Sequence, residues 1–192
     1  MGRFIDFFAY FCKMKPIFLI GYMCSGKTTL GRALESRAGV TYIDLDDLIV
    51  EEQGMSVSEI FARMGEVEFR RLESEALARV ALLDNVVVGC GGGTACRSAN
   101  MELMNSRGVT VWLEASRDRL LRRLLEGRAG RPLIASLPDD EVKRVMERDL
   151  ERRREHYAKA GNRFDSSLLE TADEVAATAD LFIKKFNIPA KI

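Results

Sequence analysis

The hydrophobic pattern of the chain alternates between short apolar runs and longer amphipathic segments. The apolar runs at 17–20, 40–43, 86–88 and 109–113 predict buried strands, and residues 162–165 predict a final edge strand. The amphipathic segments predict helices at 27–38, 48–53, 56–64, 67–83, 116–125, 139–160 and 171–186. Strands that alternate with helices form parallel sheets covered on both faces. The pattern therefore predicts an α/β fold, a three-layer α/β/α doubly wound parallel sheet of about five strands.

Both ends of the chain are predicted to lie apart from the single domain, which spans residues 16–187. Residues 1–15 carry an apolar run that Asp6 interrupts, that is too short to cross a bilayer and that lacks a small-residue cleavage site. We therefore predict an N-terminal appendage there, and one hypothesis places the translation start at Met14. The tail from Asn187 is predicted to be loose.

The charge balance and the cysteines limit the kinds of partner. Lysine plus arginine and aspartate plus glutamate number 29 each, which argues against a global attraction to nucleic acid or to an anionic membrane. The four cysteines lack C-x-x-C spacing, and His156 is the only histidine. A zinc site is therefore not expected. The thiols are expected to be free in a reducing cytoplasm.

A phosphate-binding loop is predicted after the first strand, where residues 21–28 match G-x-x-x-x-G-K-[ST]. Glycine at the two fixed positions lets successive N–H groups turn inward, where they and the helix dipole attract an anion. Lys27 offers a charge to the β- and γ-phosphates, and the Thr28 hydroxyl is placed to bind Mg²⁺. A chance match is the alternative, but the predicted strand and helix on either side favour a nucleoside triphosphate site. The predicted nucleotide-binding residues are Cys24, Ser25, Gly26, Lys27, Thr28 and Thr29.

Two aspartates follow the second predicted strand. Asp44 and Asp46 are two residues apart, so in an extended segment they point the same way, at the carboxyl edge of the sheet where ligands bind. The alternative is a helix cap, because aspartate is common immediately before a helix. We expect Asp47 to be the cap and Asp44 and Asp46 to be functional.

Glycine-rich and arginine-rich segments supply further candidates. Residues 91–93 are three glycines directly after a buried strand, which indicates close approach of another group, with a flexible turn as the alternative. Residues 126–138 are glycine-rich and basic, which predicts a mobile lid. Spacing alone explains Arg70 most simply as the partner of a helix carboxylate. Residues 152–154 are three arginines, of which only one can point into a cleft.

The order of these motifs resembles the shikimate kinase family. The matching segments are GYMCSGKTTLG, IDLDDLI, IFARMGEVEFRRLESE, GCGGG, GRPLI and RRREHY. The resemblance extends from about residue 15 to the final helix. It implies a P-loop kinase fold and transfer of the ATP γ-phosphoryl group to the 3-hydroxyl of shikimate. It also implies ATP and Mg²⁺ as cofactors, and we expect a monomer in the cytoplasm.

The resemblance also implies which residues hold shikimate. Asp46 corresponds to the aspartate that hydrogen-bonds the shikimate hydroxyls, and Gly92 to the glycine that contacts substrate through its backbone. Arg70 becomes a ligand of the substrate carboxylate, with Arg153 as its second partner and Tyr157 completing the motif. Two guanidinium groups suit a carboxylate because each can donate a bidentate pair in a fixed geometry.

On the phosphate side, the resemblance implies that Asp44 helps to hold Mg²⁺ together with Thr28. Arg131 in the lid corresponds to the arginine that reaches the nucleotide phosphates. Lys27, Asp46 and Arg131 are therefore the implied catalytic residues.

The chain departs from the family pattern at three places, and three alternatives stay open. Cys24 stands where the family usually has glycine, Glu155 replaces a proline beside Arg153, and the adenine-side basic residue of some members has no clear match near residues 165–169. A kinase of another small polyol, such as a gluconate kinase-like protein, would share the loop and the size. A nucleotide-dependent switch would need an N-K-x-D segment, which is absent. A catalytically dead relative would lack motif side chains that are present here.

Overall fold

The computed structural model describes residues 13–128 and 134–191. Their strands form one five-stranded sheet in the order β2-β3-β1-β4-β5, and every pairing is parallel. The strands are β1 (Ile17–Ile20), β2 (Thr41–Asp44), β3 (Val86–Gly89), β4 (Val109–Glu114) and β5 (Asn162–Asp165). From β1 the chain passes first to the edge strand β2, then returns to β3 between β2 and β1, and then crosses to β4 and β5 on the other side of β1.

Seven α-helices connect the strands in the described part of the chain. They are α1 (Lys27–Arg37), α2 (Leu45–Gln53), α3 (Val57–Val80), α4 (Ser98–Arg107), α5 (Arg117–Glu126), α6 (Asp139–Tyr157) and α7 (Ala172–Phe186). A short 3-10 helix, Thr94–Cys96, precedes α4. None of the helices within residues 13–128 and 134–191 is long and apolar enough to cross a membrane.

The sheet has a separate apolar core on each face. Along β1, Phe18 and Ile20 enter the core that includes residues of α2 to α6, while Ile17 and Leu19 enter the core with α1 and α7. All four side chains are at most 1% exposed. Burial of one such side chain contributes about 2 kcal/mol to stability. The predicted three-layer α/β/α fold is confirmed.

The strand register brings three chain segments to one edge of the sheet. Gly89 at the end of β3 pairs with Asp44 of β2 on one side and with Leu19 of β1 on the other. The loops that follow these strands therefore leave the sheet at the same level. This edge carries the residues of the candidate site.

Several predicted element boundaries need correction. The helix after β2 begins at Leu45, and its cap is Asp44, which accepts a hydrogen bond from the backbone N–H of Asp46; the prediction that Asp47 is the cap was wrong. Leu45 is fully buried in the core and is already part of the helix, so the helix begins three residues earlier than predicted. Helix α4 was not predicted at all. Its apolar side chains are sparse, so no helical stripe marks it.

The break predicted at residues 65–66 and the loose tail had different outcomes. Gly65 has non-helical torsions, φ 81° and ψ 169°, so it kinks α3 where a break was expected. The tail, by contrast, is packed. Ile188 is 5% exposed, and the carbonyl of Pro189 accepts a hydrogen bond from the backbone N–H of Gly39 at 3.0 Å. The tail is held because its apolar side chain completes the core under α1 and α7.

Candidate active site

The loop between β1 and α1 has the backbone shape of an anion-binding loop. Gly26 precedes the helix with φ 93°, and its carbonyl accepts the first helical hydrogen bond, from Leu30. The positive φ of Gly26 favours glycine, and a Cβ there would also lie 2.4 Å from Leu169 Cδ1, which would have to move. Cys24 has φ 62°. A Cβ in this left-handed conformation costs about 1 kcal/mol of backbone strain.

Lys27 lies back over the loop that precedes it. Its Nζ donates to the carbonyl oxygens of Gly21 at 3.0 Å and Tyr22 at 2.9 Å. Burial lowers the pKa of Lys27, while the negative charge of Asp46 opposes that shift. The ammonium group is thus held beside the loop and close to a carboxylate.

A nucleotide-sized cleft of about 560 Å³ opens beside this loop. Of the six predicted nucleotide-binding residues, the structure places five on its wall, namely Cys24, Gly26, Lys27, Thr28 and Thr29. Ser25 differs, because it is 1% exposed and its backbone N–H donates to the carbonyl of Tyr22. Its side chain therefore lies beneath the loop and outside the cleft.

Arg123 is a cleft residue that the sequence analysis did not identify. Its guanidinium donates to the carbonyl oxygens of Cys24, Ser166 and Ser167. It also lies 3.6 Å from Glu170. Arg123 thereby ties the phosphate loop to the segment after β5. Its spacing within α5 is that of an ordinary helical arginine, so no sequence signal marked this role.

The predicted metal pair is brought together by the adjacent ends of β2 and α1. Thr28 Oγ1 donates to Asp44 Oδ2 at 3.1 Å. A hydroxyl and a carboxylate oxygen are the ligands that Mg²⁺ prefers, and this ion keeps several waters and substrate phosphates in its shell. Within residues 13–128 and 134–191, no cluster of three or more His, Cys, Asp or Glu side chains could hold another kind of metal. The residues present therefore fit Mg²⁺.

Asp46 is a partly buried carboxylate, and one of its oxygens has no hydrogen-bond partner among the described residues. That oxygen, Oδ1, is inaccessible to solvent. Burial raises the pKa of Asp46 to about 6, and the nearby negative charges of Asp44 and Glu73 add to this rise. The positive charges of Lys27 and Arg70 oppose it. Asp46 is thus ionised at neutral pH but more basic than an ordinary aspartate.

Glu73 is a second buried carboxylate, and the sequence analysis assigned it no role. It is 0% exposed, it accepts from Arg70 NH1 at 3.0 Å, and it accepts from the hydroxyl of Thr94. A signal was available in the sequence, because Glu73 lies on the apolar stripe of α3, four residues from both Phe69 and Leu77. A carboxylate at such a position needs a buried partner.

Arg70 makes the ion pairs with helix carboxylates that its spacing predicted. It pairs with the helix carboxylates of Glu66 at 3.4 Å and Glu73 at 3.0 Å. Its guanidinium also lies against the glycine loop, since a Cβ on Gly93 would be 2.8 Å from Arg70 NH2. Arg70 is therefore oriented by its helix and presented at the sheet edge.

Arg153 is the member of the arginine run that points inward. It is 16% exposed, against 69% for Arg152. Its NH1 donates to the carbonyl oxygen of Gly92 at 3.2 Å, and the hydroxyl of Tyr157 donates to the same oxygen at 2.6 Å. The structure therefore brings together Gly92, Arg153 and Tyr157, and Glu155 does not prevent this register.

The glycine loop owes its composition to the side chains around it. A Cβ on Gly91 would lie 2.9 Å from Glu73 Oε1 and 3.0 Å from Asp46 Oδ1. A Cβ on Gly92 would lie 3.0 Å from Arg153 NH1. The close approach predicted at residues 91–93 is thus made by the site itself. Next to it lies a cleft of about 970 Å³, whose wall includes Arg70, Gly93, Cys96, Arg153 and His156.

One predicted catalytic residue, Arg131, lies outside the described residues, as do residues 129–133 of the predicted lid. On either side of them, Arg128 pairs with Asp139 at 2.7 Å and Ile134 is 4% exposed.

Comparison with known proteins identifies the family. A sequence model described as shikimate kinase matches residues 23–184. The chain belongs to the shikimate kinase family. A shikimate kinase from Phocaeicola vulgatus is 41% identical over 174 residues, which cover 91% of this chain and 99% of that protein.

Solved structures of shikimate kinases agree in both sequence and fold. A crystal structure of shikimate kinase from Bacteroides thetaiotaomicron matches with a TM-score of 0.86 and 38% identity, over 91% of this chain and 99% of that one. Shikimate kinase from Acinetobacter baumannii in complex with shikimate matches with a TM-score of 0.78 and 25% identity, over 93% and 96% of the two chains.

The shikimate kinase assignment also decides between the alternatives. The protein is an enzyme that phosphorylates shikimate with ATP in aromatic amino acid biosynthesis. The gluconate kinase-like and switch alternatives are not supported.

Proposed function

We propose that this shikimate kinase transfers the γ-phosphoryl group of ATP to the 3-hydroxyl of shikimate in an Mg²⁺-dependent reaction centred on Asp46. One observation carries the proposal. Asp46 has a buried, unpartnered oxygen and lies within electrostatic reach of both Lys27 and Arg70. It therefore stands between the phosphate loop and the arginine that the acceptor carboxylate would use.

On the acceptor side, Arg70 and Arg153 bind the carboxylate of shikimate. Glu73 anchors NH1 of Arg70 at 3.0 Å, and Gly92 anchors NH1 of Arg153 at 3.2 Å. Each guanidinium keeps further N–H groups that can donate to a carboxylate. Because the two arginines are anchored from different elements, they define both the position and the orientation of the acceptor. The backbone of Gly92 completes this side.

On the nucleotide side, the loop residues Cys24 to Thr29 surround the phosphates, and Lys27 turns from the loop carbonyls to the β- and γ-phosphates. Thr28 and Asp44 hold Mg²⁺, which when bound neutralises charge on the phosphoryl oxygens. Arg131 of the lid, residues 126–138, supplies a further positive charge. Closure of the lid excludes water, which would otherwise compete as the phosphoryl acceptor.

Asp46 orients the 3-hydroxyl and accepts its proton. As the hydroxyl oxygen bonds to the γ-phosphorus, the bond between that phosphorus and the β,γ-bridging oxygen breaks and ADP leaves. The proton passes to Asp46, whose pKa near 6 makes it a stronger base than an ordinary aspartate while leaving it ionised at neutral pH. Positioning and charge neutralisation supply the rest of the rate enhancement.

The proposal includes the organisation of the protein. One kinase domain spans residues 16–187 and extends to Met14 and Ile188, which pack against its core. The residues before Met14 are an appendage, and the enzyme works as a monomer in the cytoplasm without a nucleic acid or membrane partner. Cys90 and Cys96 are free thiols, and a reducing compartment would keep them so.

A coupled ADP-release assay with shikimate, gluconate or no acceptor tests this function. We expect ADP release that depends on both shikimate and Mg²⁺, and a product phosphorylated at the 3-position by NMR. Arg70→Lys should raise KM for shikimate and leave KM for ATP unchanged, since lysine retains charge but not the bidentate geometry. Equal turnover with gluconate, or unchanged saturation by shikimate in the variant, would contradict the proposal.

A further inference from the structure

Asp44 is held by three hydrogen bonds, two of which converge on one oxygen. Its Oδ2 accepts from the hydroxyls of Thr28 at 3.1 Å and Tyr42 at 3.0 Å. Its Oδ1 accepts from the backbone N–H of Asp46 at 3.2 Å. Thr28 is exposed at the cleft, so among the described residues Tyr42 is the buried side chain that fixes Oδ2.

The ring of Tyr42 lies in a space that two glycines provide. A Cβ on Gly31 of α1 would be 2.1 Å from ring carbons, and a Cβ on Gly89 of β3 would be 2.2 Å from the hydroxyl oxygen. Tyr42 is 9% exposed, and the guanidinium of Arg32 lies 5.9 Å from the ring centre. A ring enclosed in this way presents its hydroxyl at one fixed position.

Packing alone does not account for the hydroxyl. A phenylalanine ring would fill the same space between Gly31 and Gly89, whereas the hydroxyl adds the hydrogen bond to Asp44 and an interaction with the Thr28 side chain, the other member of the metal pair. The hydroxyl group, which distinguishes tyrosine from phenylalanine, therefore contacts Asp44, a residue proposed to bind the metal.

We propose that Tyr42 is a positioning residue of the metal site, whose hydroxyl holds Asp44 Oδ2 in the orientation in which Asp44 and Thr28 receive a divalent cation. The inference rests on the proposed function, because it takes Asp44 and Thr28 as the metal pair. Loss of an outer hydrogen-bond partner typically weakens metal binding about 10–100-fold. Since Asp44 keeps two of its three hydrogen bonds in Tyr42→Phe, we expect about a tenfold effect.

Mn²⁺ binding in the presence of saturating ADP tests the inference, with free Mn²⁺ followed by electron paramagnetic resonance. Tyr42→Phe should weaken Mn²⁺ binding about tenfold and leave KM for shikimate unchanged. Tyr157→Phe is the matched control, because it removes a hydroxyl that donates to Gly92 in the acceptor site. It should leave Mn²⁺ binding unchanged. Thermal melting followed by circular dichroism checks that both variants fold.

Asp44→Asn separates failure of this inference from failure of the proposed function. Weaker Mn²⁺ binding in Asp44→Asn but not in Tyr42→Phe would overturn the role of Tyr42 and leave the metal pair in place. Unchanged binding in both would overturn the metal assignment and the inference with it. Equal weakening in Tyr42→Phe and Tyr157→Phe would also overturn the inference, because the effect would then not be specific to Asp44.

Discussion

Replacing Asp46 by asparagine should abolish turnover and stabilise the fold at the same time. Burial, together with the negative charges of Asp44 and Glu73, raises the pKa of Asp46 from 3.8 to about 6. At about 1.4 kcal/mol per pKa unit, ionised Asp46 costs the folded enzyme up to about 3 kcal/mol. Asparagine has nearly the same shape and no charge, so the variant does not bear this cost.

The sign of the effect sets its pH dependence. The folded protein retains the Asp46 proton up to about pH 6, whereas the unfolded chain releases it near pH 3.8. The stability that this proton contributes is therefore fully present below the unfolded pKa and lost as the pH rises through the folded pKa. The variant should exceed the wild type in free energy of unfolding by about 3 kcal/mol at pH 8 and by about half of that at pH 5.

Urea denaturation of the metal-free and nucleotide-free enzyme at pH 5 and pH 8 measures this difference. Asp47→Asn is the matched control, because the side chain of Asp47 is 72% exposed and should give no comparable gain. Turnover of Asp46→Asn should fall at least about 100-fold, while affinity for ATP changes little. A variant no more stable than wild type at pH 8 would refute the burial argument, and near-normal turnover would refute the catalytic role.

The other predictions concern residues around Asp46. Glu73→Gln removes the buried charge that anchors Arg70, so KM for shikimate should rise about tenfold or more in steady-state assays; an unchanged KM would mean that the anchor is dispensable. Glu66 lies 3.4 Å from both Nε and NH2 of Arg70, and these two groups form the edge of the guanidinium that would bind the substrate carboxylate. Because Glu66→Gln removes this competing charge, it should lower KM for shikimate about twofold. Glu68→Gln serves as its control, and a raised KM in the Glu66 variant would indicate a supporting role instead. Alkylation of Cys24 should block ATP binding, and ATP should slow the labelling seen by intact mass; labelling that leaves ATP binding unaffected would contradict the position of the nucleotide.

The amino-acid sequence predicts the structure wherever the determining interactions are local. The phosphate loop was predictable because its fixed glycines, Lys27 and Thr28 are adjacent in the chain and lie between a strand and a helix. The alternation of apolar runs and amphipathic segments likewise predicted the layers of the fold. The roles of Asp44, Arg70 and Arg153 came from the family resemblance, and the structure brings these side chains to one sheet edge.

The sequence does not predict the role of a residue when that role depends on contacts with residues distant along the chain. Helix α4 shows too weak a stripe to be recognised, and the packing of Ile188 depends on a core made by α1 and α7. Glu73 could have been noticed as a carboxylate on an apolar stripe, but its partners Arg70 and Thr94 are known only from the fold.

The sequence by itself determined the nucleotide loop, the class of fold and, through its motifs, the family. Those features depend on residue spacing along single strands and helices. Tertiary structure decided the electrostatics, because the strand order β2-β3-β1 places Asp44, Gly89 and the end of β1 side by side. Only this arrangement buries Asp46 beside Glu73 and Lys27, raises its pKa and directs the Tyr42 hydroxyl at Asp44.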